Sequence, residues 1–423
     1  MMKKKSYIDL LAVIMVLVLT ACSANAGGSE ASVNKENKNT SNGENTATAV
    51  NTSLVSIIEE TVDTDDLFSK RDLNQTPDLD DAESITVESG KTYTISEAGT
   101  FIFTGTAEEA VIKVEADKED KVCIVLDGLS ITNENLPAIY VLSADKCFVT
   151  TTDEKSTLKV TGSFSSDGEN KTDAVIYSKD DLVLNGTGTL EIISAYGNGI
   201  SCKDDLKITG GTYIISSLKD AVEANDSIAV YDANFTINTS KDGFHSENED
   251  DNTVGWIYLL NGKYAINAKS DAIQATSYVK IDDGEYNISA SEGIEATYVQ
   301  INGGNINISA SDDGINASAK SSIYSVPTVE FNGGNTVIVM ADGDTDGVDA
   351  NGCIIVNGGT IDVTAKMSSF DYDVSAEFNG GKIIVNGEEV NEIPQSMMGG
   401  PGGFGGGFSG GGNRGGGFRG GKG

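Results

Sequence analysis

Acidic residues recur at near-regular spacing through the middle of the chain, in a pattern suited to binding a divalent cation. Successive repeats begin with a short motif whose acids are Asp220, Asp242, Asp271, Glu292, Asp313 and Asp346. A second polar position follows three residues later, at Glu223, His245, Gln274, Glu295, Asn316 and Asp349. If the repeats stack, like charges repel by roughly 1 kcal/mol per pair in water and by more at lower dielectric. Because carboxylate and amide oxygens suit Ca²⁺, both sets predict bound calcium, although Lys219 and Lys241 neighbour two of the acids.

A sharper calcium motif lies near the end of this series. Asp342-Gly-Asp344-Thr-Asp346-Gly347 matches the first half of an EF-hand loop, with acids at positions 1, 3 and 5 and glycine at position 6. The closing glutamate is missing because position 12 is Cys353. We therefore reject an EF-hand and predict a calcium-binding turn that Asp349 or a neighbouring repeat completes. The predicted ligands are Asp342, Asp344, Asp346, Asp349, Asp312, Asp313, Glu292, Glu295, Asp242 and Asp271.

The composition excludes several other kinds of chemistry. The 423 residues include 29 Lys and Arg against 64 Asp and Glu, a net charge of −35, which argues against nucleic-acid binding. The single histidine excludes a site with two histidines within one chain. The four cysteines beyond Cys22 form no CxxC pair, so no zinc or redox motif is present. Cys123 and Cys147 lie about one repeat apart, either as buried apolar side chains or as a disulfide.

The elements that would position these acids are the strands of a repeat. Apolar and polar residues alternate between turns, as in Tyr286-Asn-Ile288-Ser-Ala290, and period two is typical of strands. Asn/Asp-Gly-Gly turns separate these segments. The all-β pattern predicts a right-handed parallel β-helix of 21–22-residue rungs over residues 84–393. Leucine-rich repeats have a similar length, but this chain lacks their leucine spacing, and a propeller blade needs about twice the period.

Two sets of aromatic residues have different predicted positions. Tyr213, Phe235, Tyr264 and Tyr286 are in phase with buried isoleucines, so we expect them to stack inside the core. Trp256, Tyr278 and Tyr298 precede inward-facing residues and should point outward. If no insertion shifts their register, these three rings form an exposed strip on which sugar rings could stack. They are the predicted carbohydrate-binding residues.

The ends of the chain carry targeting and low-complexity segments. Three lysines and an apolar stretch, Leu10 to Leu19, precede Leu19-Thr-Ala-Cys22, which resembles a bacterial lipobox. We predict a signal peptide over 1–21 and lipidation of Cys22; an ordinary signal peptide with a later cleavage site is the alternative. Residues 22–51 read as a disordered tether, and 52–83 as a cap region that includes a helix over 52–73. The Gly-rich tail, 394–423, is predicted to be disordered.

The chain resembles the bacterial carbohydrate-binding β-helix family of Gram-positive surface proteins over roughly residues 65–390. The resemblance rests on Gly99-Thr-Phe-Ile-Phe-Thr-Gly105, Val122 to Asn133, Pro137 to Val141, Lys179 to Gly186, Gly197 to Ile200 and the later Gly-Gly turns. It implies a pectate-lyase-like architecture, bound calcium, and association with cellulose and acidic polysaccharides such as polygalacturonate. No catalytic residue set is carried over by the resemblance.

Together these features predict a non-catalytic, calcium-dependent, polysaccharide-binding lipoprotein at the cell surface. We expect a monomer that is attached to the membrane only through its lipid anchor. A lyase with a lysine base and Ca²⁺ is the main alternative, since arginine occurs only at 71, 414 and 419. A hydrolase would need paired acids, which Asp180-Asp181, Asp204-Asp205 and Asp312-Asp313 supply, but His245 lacks the flanking glycines. An adhesin or scaffold is a further alternative.

Overall fold

The computed structural model describes residues 67–168, 170–343 and 345–394, and this part of the chain is all-β. It contains 36 strands and no helix, hence none that could cross a membrane. The strands form one sheet of 24 and one of 12 strands. The larger sheet consists of two ladders, and together with the smaller sheet these make three ladders of stacked strands. Most repeats contribute one strand to each ladder, whereas the long strands Gly99–Glu108 and Lys121–Asn133 run through both ladders of the larger sheet. All of these strand pairs are parallel except the last, where Glu388–Val390 runs antiparallel to Lys382–Val385.

The first ladder contains β1 Glu83–Thr86, β3 Gly99–Glu108, β5 Lys121–Asn133, β7 Lys146–Thr151, β10 Leu182–Gly186, β13 Asp205–Ile208, β16 Ser227–Val230, β19 Trp256–Leu259, β22 Tyr278–Ile281, β25 Tyr298–Ile301, β28 Thr328–Phe331, β31 Cys353–Val356 and β34 Ser375–Phe378. The second ladder contains β8 Ser156–Val160, β11 Thr189–Ser194, β14 Thr212–Ser217, β17 Asn234–Thr239, β20 Lys263–Asn267, β23 Glu285–Ala290, β26 Asn305–Ala310, β29 Asn335–Met340, β32 Thr360–Thr364, β35 Lys382–Val385 and β36 Glu388–Val390. The third ladder contains β2 Thr92–Ile95, β4 Val111–Glu115, β6 Ile139–Ser143, β9 Ala174–Ser178, β12 Asn198–Cys202, β15 Val222–Ala224, β18 Phe244–Ser246, β21 Asp271–Ala275, β24 Glu292–Ala296, β27 Asp313–Ala317, β30 Asp346–Ala350 and β33 Ser368–Tyr372.

Parallel pairing between successive repeats confirms the predicted stacking, but the repeat length varies. Tyr264 pairs with Tyr286, 22 residues on, and Tyr286 pairs with Ile306, 20 residues on. Two steps are longer: Phe235 pairs with Tyr264 and Ile306 with Thr336, at 29 and 30 residues. The additional residues form two loops, 247–255 and 318–327, that leave the strand register of their neighbours unchanged.

The Gly-Gly turns between the first and second ladders have two conformational requirements. Their second glycine has positive φ, for example 88° at Gly304 and 77° at Gly334, a region unfavourable for other residues. At the first glycine, a Cβ on Gly303 would lie 2.3 Å from the carbonyl oxygen of Asp282. The residues before the glycines stack as a ladder of amides: Asn332 Nδ2 donates to Asn302 Oδ1 at 2.8 Å, and Asn357 Nδ2 to Asn332 Oδ1 at 2.8 Å. The positive φ, the lack of space for a Cβ and the amide ladder together explain why Asn-Gly-Gly recurs.

Stacked aromatic rings fill the core behind these turns, as predicted. Tyr213, Phe235, Tyr264 and Tyr286 are each at most 2 % exposed. Rings of successive repeats stack, most closely at Tyr264 and Tyr286, whose centroids are 4.4 Å apart. Their hydroxyls stay hydrogen-bonded, since Tyr286 Oη donates to the carbonyl of Asp283 at 2.9 Å. The cost of burying a polar hydroxyl is thereby offset.

Cys123 and Cys147 are buried and free, which confirms the apolar alternative over a disulfide. Val122, rather than Cys123, is the register partner of Cys147. A one-residue offset places side chains on opposite faces of a sheet. Cys147 therefore packs in the main core, and Cys123 packs in a separate cluster with Val125, Phe148 and Val183.

The described part of the predicted N-terminal cap lies along the side of the larger sheet. Residues 67–73 form turns, so the predicted helix is absent there; its earlier part, 52–66, lies outside the described residues. Gln75 accepts a hydrogen bond from Gly186 N at 2.8 Å and donates to the Thr209 carbonyl at 3.1 Å. Asp72, 1 % exposed, lies 3.5 Å from Lys146 Nζ and 3.9 Å from Lys207 Nζ. This segment crosses several repeats instead of covering the first one.

Candidate functional site

The third ladder positions the predicted acids in vertical register. We call Asp220, Asp242, Asp271, Glu292, Asp313 and Asp346 the acid column. Asp271 is the register partner of Glu292, and Asp313 that of Asp346. In the first acids of the column, one carboxylate oxygen accepts a hydrogen bond from the backbone N–H of the next acid. Asp242 N donates to Asp220 Oδ1 at 3.1 Å, and Asp271 N donates to Asp242 Oδ1 at 3.0 Å. Part of the column is therefore explained by backbone hydrogen bonds, which leave the other carboxylate oxygen available for a cation.

The first two acids of the column have cationic neighbours. Lys241 Nζ lies 2.9 Å from Asp220 Oδ2 and 3.5 Å from Asp242 Oδ2. His245 Nδ1 lies 3.5 Å and 3.9 Å from the same two oxygens. Burial would raise the pKa of Asp220, but the neighbouring imidazole and ammonium lower it to about 2. The two aspartates and His245 form one of two compact groups of metal-ligand atoms among the described residues.

The acids farther along the column have far less positive charge near them. We call Asp271, Glu292, Glu295, Asp313 and Asp349 the acid-rich segment. Burial and the carboxylates of Glu292 and Asp242 raise the pKa of Asp271 to about 7. Burial and the carboxylates of Asp349 and Glu292 raise the pKa of Asp313 to about 7. Lys320 binds Glu295, but the charged neighbours of Asp271 and Asp313 are mostly carboxylates, whose effect on the two pKa values adds to that of burial.

The EF-hand-like turn does not gather its acids around one point in the described residues. Asp342 is exposed and pairs with Lys366 Nζ at 2.5 Å, away from the column. Asp344 lies outside the described residues. Asp349 is the register partner of Asn316 and Asp371, so it belongs to the second polar column. Burial and the carboxylates of Asp346 and Asp371 raise the pKa of Asp349 to about 6.

The predicted aromatic strip points outward from its strands, but much of it is covered. Tyr278 and Tyr298 are each only 6 % exposed, so the expectation of exposed rings is wrong for both. Tyr324, from the 318–327 loop, packs its ring 5.2 Å from that of Tyr298. The two long loops join where Ser321 Oγ donates to the Asn252 carbonyl at 2.6 Å. Trp256 stacks on Tyr278 at 5.5 Å and remains half-buried.

A second compact acid group lies where the chain turns from the third ladder into the first. Ligand atoms of Asp181, Asp204 and Asp205 all lie within 4.8 Å of one another. Burial raises the pKa of Asp181 to about 6, and the carboxylates of Asp205 and Asp204 add to this, while Lys146 lowers it. Lys146 Nζ lies 3.7 Å from Asp181. The sequence indicated these residues only as adjacent acid pairs.

A flat, uncharged region on the second ladder is absent from the sequence-based predictions. We call Asn287, Ser289, Asn307, Ser309, Val337 and Val339 the neutral face. These side chains stand in register on β23, β26 and β29 and line a shallow groove of about 490 Å³. Val339 is 46 % exposed. The signal was the absence of charge at the outward positions 287, 289, 307, 309, 337 and 339, which contrasts with the net charge of −35.

Comparisons with known proteins identify a matching family, a similar protein and a similar solved structure. Residues 89–347 match a protein family described as "Carbohydrate-binding domain-containing protein". A protein of that description from Acetivibrio thermocellus is 40 % identical over 219 residues, which are 51 % of this chain and 76 % of the relative. A solved structure of a polysaccharide lyase-like protein from C. thermocellum, a gadolinium derivative, is similar with 25 % sequence identity and a TM-score of 0.46. It covers 62 % of this chain and 98 % of that chain.

Proposed function

The chain belongs to the carbohydrate-binding domain family, and from that premise we propose that it is a non-catalytic, calcium-dependent polysaccharide-binding protein of the cell surface. In this proposal a right-handed parallel β-helix is anchored as a monomer through lipidated Cys22. Its ligands are acidic polysaccharides, neutral glucans such as cellulose, or both. We infer calcium binding from the acid-rich segment, where several carboxylates lie close together with few cationic side chains near them.

Calcium fits the acid-rich segment because its donors are hard oxygen atoms. Asp271, Glu292, Asp313 and Asp349 would supply carboxylates, with Glu295 and Asp312 near them. Ca²⁺ takes six to eight oxygen ligands and tolerates irregular geometry, which suits side chains from several stacked repeats. Burial and then neighbouring carboxylates raise the pKa of Asp271 and Asp313 to about 7, and a bound cation would favour the charged form of both groups.

Calcium also explains how such an acidic protein could hold a uronate polymer. Two polyanions repel each other, but an ion bound to the acid-rich segment can still accept a uronate carboxylate as a further ligand. We expect the full chain to bind polygalacturonate in Ca²⁺ and to release it in EDTA. The double substitution Asp313→Asn with Asp349→Asn should weaken this binding, whereas Asp232→Asn, an exposed turn acid, should leave it unchanged. Undiminished binding in EDTA would contradict cation bridging.

The neutral face is the better surface for an uncharged glucan, since Tyr278 and Tyr298 are covered. Its amide and hydroxyl groups can donate to and accept from sugar hydroxyls, and its valines can contact apolar sugar faces. Of the three predicted rings, Trp256 is the one with access to solvent. Ser289→Arg or Ser309→Arg should reduce binding to cellulose and leave polygalacturonate binding intact. Ser84→Arg, on another exposed strand position, is the matched control.

A lyase is supported less well because two lysines that lie next to buried acids, Lys203 and Lys241, have raised pKa values. Burial would lower the pKa of Lys203, but the carboxylates of Glu223 and Asp173 raise it. Asp220 likewise raises the pKa of Lys241 against the effect of burial. A lysine base that works near neutral pH needs a lowered pKa. An increase in the ultraviolet absorbance of unsaturated product from polygalacturonate with Ca²⁺ would favour the lyase.

A further inference from the structure

The backbone hydrogen bonds of the acid column leave two carboxylate oxygens facing one point. Asp220 Oδ1 accepts from Asp242 N, and Asp242 Oδ1 accepts from Asp271 N. The Oδ2 atoms of both aspartates turn toward the side chains of Lys241 and His245. The two aspartates have side-chain exposures of only 4 % and 2 %. These two oxygens are therefore preorganised next to a nitrogen ligand.

The imidazole of His245 is oriented as in a metal ligand. His245 is 8 % exposed, and its buried Nδ1 makes no hydrogen bond within the described residues. On the other side of the ring, Nε2 lies 3.3 Å from Glu247 Oε2. In metal sites, a carboxylate beside one ring nitrogen holds the proton on that nitrogen and leaves the other nitrogen to bind the metal. Here the Nδ1 side of the ring faces Asp220 Oδ2 and Asp242 Oδ2, where a metal would take the place of the Nδ1 proton.

We propose that Asp220, Asp242 and His245 bind a divalent transition metal of the Zn²⁺, Co²⁺ or Cu²⁺ type. Such ions accept imidazole nitrogen and carboxylate oxygen at about 2.0–2.2 Å, which places donors about 3.3 Å apart around a tetrahedral ion. The observed separations of Nδ1 from the two oxygens, 3.5 and 3.9 Å, need little closure. A nitrogen donor distinguishes this site from the proposed calcium sites, whose donors are oxygens.

In the metal-free protein, the ammonium group of Lys241 pairs with the two carboxylates that would bind the metal. Its Nζ lies 2.9 and 3.5 Å from the two Oδ2 atoms that would bind the metal. The Lys241 side chain is 47 % exposed, so it can move into solvent when an ion enters. The metal therefore competes with one ion pair, and removing the Lys241 ammonium should strengthen metal binding.

The only histidine in the 423 residues makes the test specific. Cu²⁺ is added to the full chain without an affinity tag, and pulsed electron paramagnetic resonance detects the remote imidazole nitrogen. The wild type should show one coordinated imidazole, and His245→Gln should lose this signal. In Co²⁺ titrations, Lys241→Gln should bind roughly tenfold more tightly because a partly buried competing ion pair is gone. Lys263→Gln, which removes an exposed lysine paired with Glu285, should bind as the wild type does.

Two results would overturn the proposal. One is the absence of imidazole coordination in the wild type, or its persistence in His245→Gln. The other is equal Co²⁺ affinity in Lys241→Gln and the wild type, which stays decisive if His245→Gln fails to fold. Because the readouts are spectroscopic and need no polysaccharide, they are independent of the proposed function.

Discussion

At the residue scale, the carboxylates of the acid column combine a structural role with a charge that needs compensation. Asn198 shows that the structural role does not need charge, since its Oδ1 accepts from Asp220 N at 3.0 Å just as Asp220 accepts from Asp242 N. Asp313 accepts from Asp346 N at 3.3 Å in the same way. The negative charge at Asp313 is thus separable from its hydrogen bond.

Asp313→Asn should stabilise the metal-free protein and weaken its response to calcium. The amide oxygen keeps the hydrogen bond, and the substitution removes a carboxylate whose charged form is disfavoured by burial and by the carboxylates of Asp349 and Glu292. After allowance for partial exposure, we expect a gain of about 1–2 kcal/mol in the free energy of unfolding in EDTA at pH 8. Urea unfolding with and without Ca²⁺ measures both effects. Equal calcium stabilisation in the variant and the wild type would exclude Asp313 as a ligand.

The raised pKa values of Asp271 and Asp313 predict an unusual pH dependence. Both start near 3.8 in the unfolded chain and rise to about 7 in the fold, so the folded state holds more protons between these values. Stability in chelator should therefore decrease as pH rises from about 4 to about 7. The lowered pKa of Asp220 acts only below about pH 4. Urea unfolding in EDTA across this range tests the trend, which saturating Ca²⁺ should abolish.

At the scale of the element, the Gly-Gly turn predicts two separable costs of substitution. Gly90 and Gly334 have nearly equal φ, 76° and 77°, but a Cβ on Gly90 meets nothing within 4 Å. On Gly334 the Cβ would lie 2.6 Å from the carbonyl carbon of Gly303. Gly90→Ala should cost about 1–2 kcal/mol from φ alone, and Gly334→Ala clearly more. Equal losses in urea unfolding would mean that the stacked turns tolerate a side chain.

Strands and turns were predictable from sequence because their determinants are local. Alternation around Tyr286 and Ile288 identifies a strand and its inward face, and Asp282-Asp283-Gly284 identifies the turn before it. The covering of Tyr298 was not predictable, since it depends on two loops that meet across about 70 residues of sequence at Ser321 and Asn252. The alternation of residues along the strand correctly predicted that the Tyr298 ring points outward, but it did not predict that Tyr324 packs on it.

In the candidate site, too, local features were predictable from sequence and contacts between distant residues were not. Stacking of the acids followed from repeat spacing, whereas the sharing of their oxygens between backbone and cation did not. His245 fell in the second polar column by pattern, but only the geometry brings it to Asp220 and Asp242. The segment around Asp72 was expected at the end of the first repeat. Its buried ion pairs with Lys146 and Lys207 place it on the side of the sheet instead.

At the scale of the whole molecule, we propose that a protein with a net charge of −35 is attached to the membrane through a lipid anchor. The proposed anchor, Cys22, lies outside the described residues. In a Gram-positive host, Cys22→Ser should move the protein from the membrane fraction to the medium, because diacylglycerol attachment requires the thiol. Fractionation and immunoblotting measure this. Membrane retention of Cys22→Ser would indicate a different anchor, and Cys353→Ser is the matched control.

The central claim is that stacked carboxylates of the acid-rich segment hold a divalent ion. Anomalous diffraction from a crystal of the full chain soaked in a lanthanide salt, which substitutes for Ca²⁺, tests it most directly. We expect an anomalous peak within ligand distance of the carboxylates of Asp271, Glu292, Asp313 or Asp349. Ordered carboxylates at these positions with no peak beside them would contradict the claim.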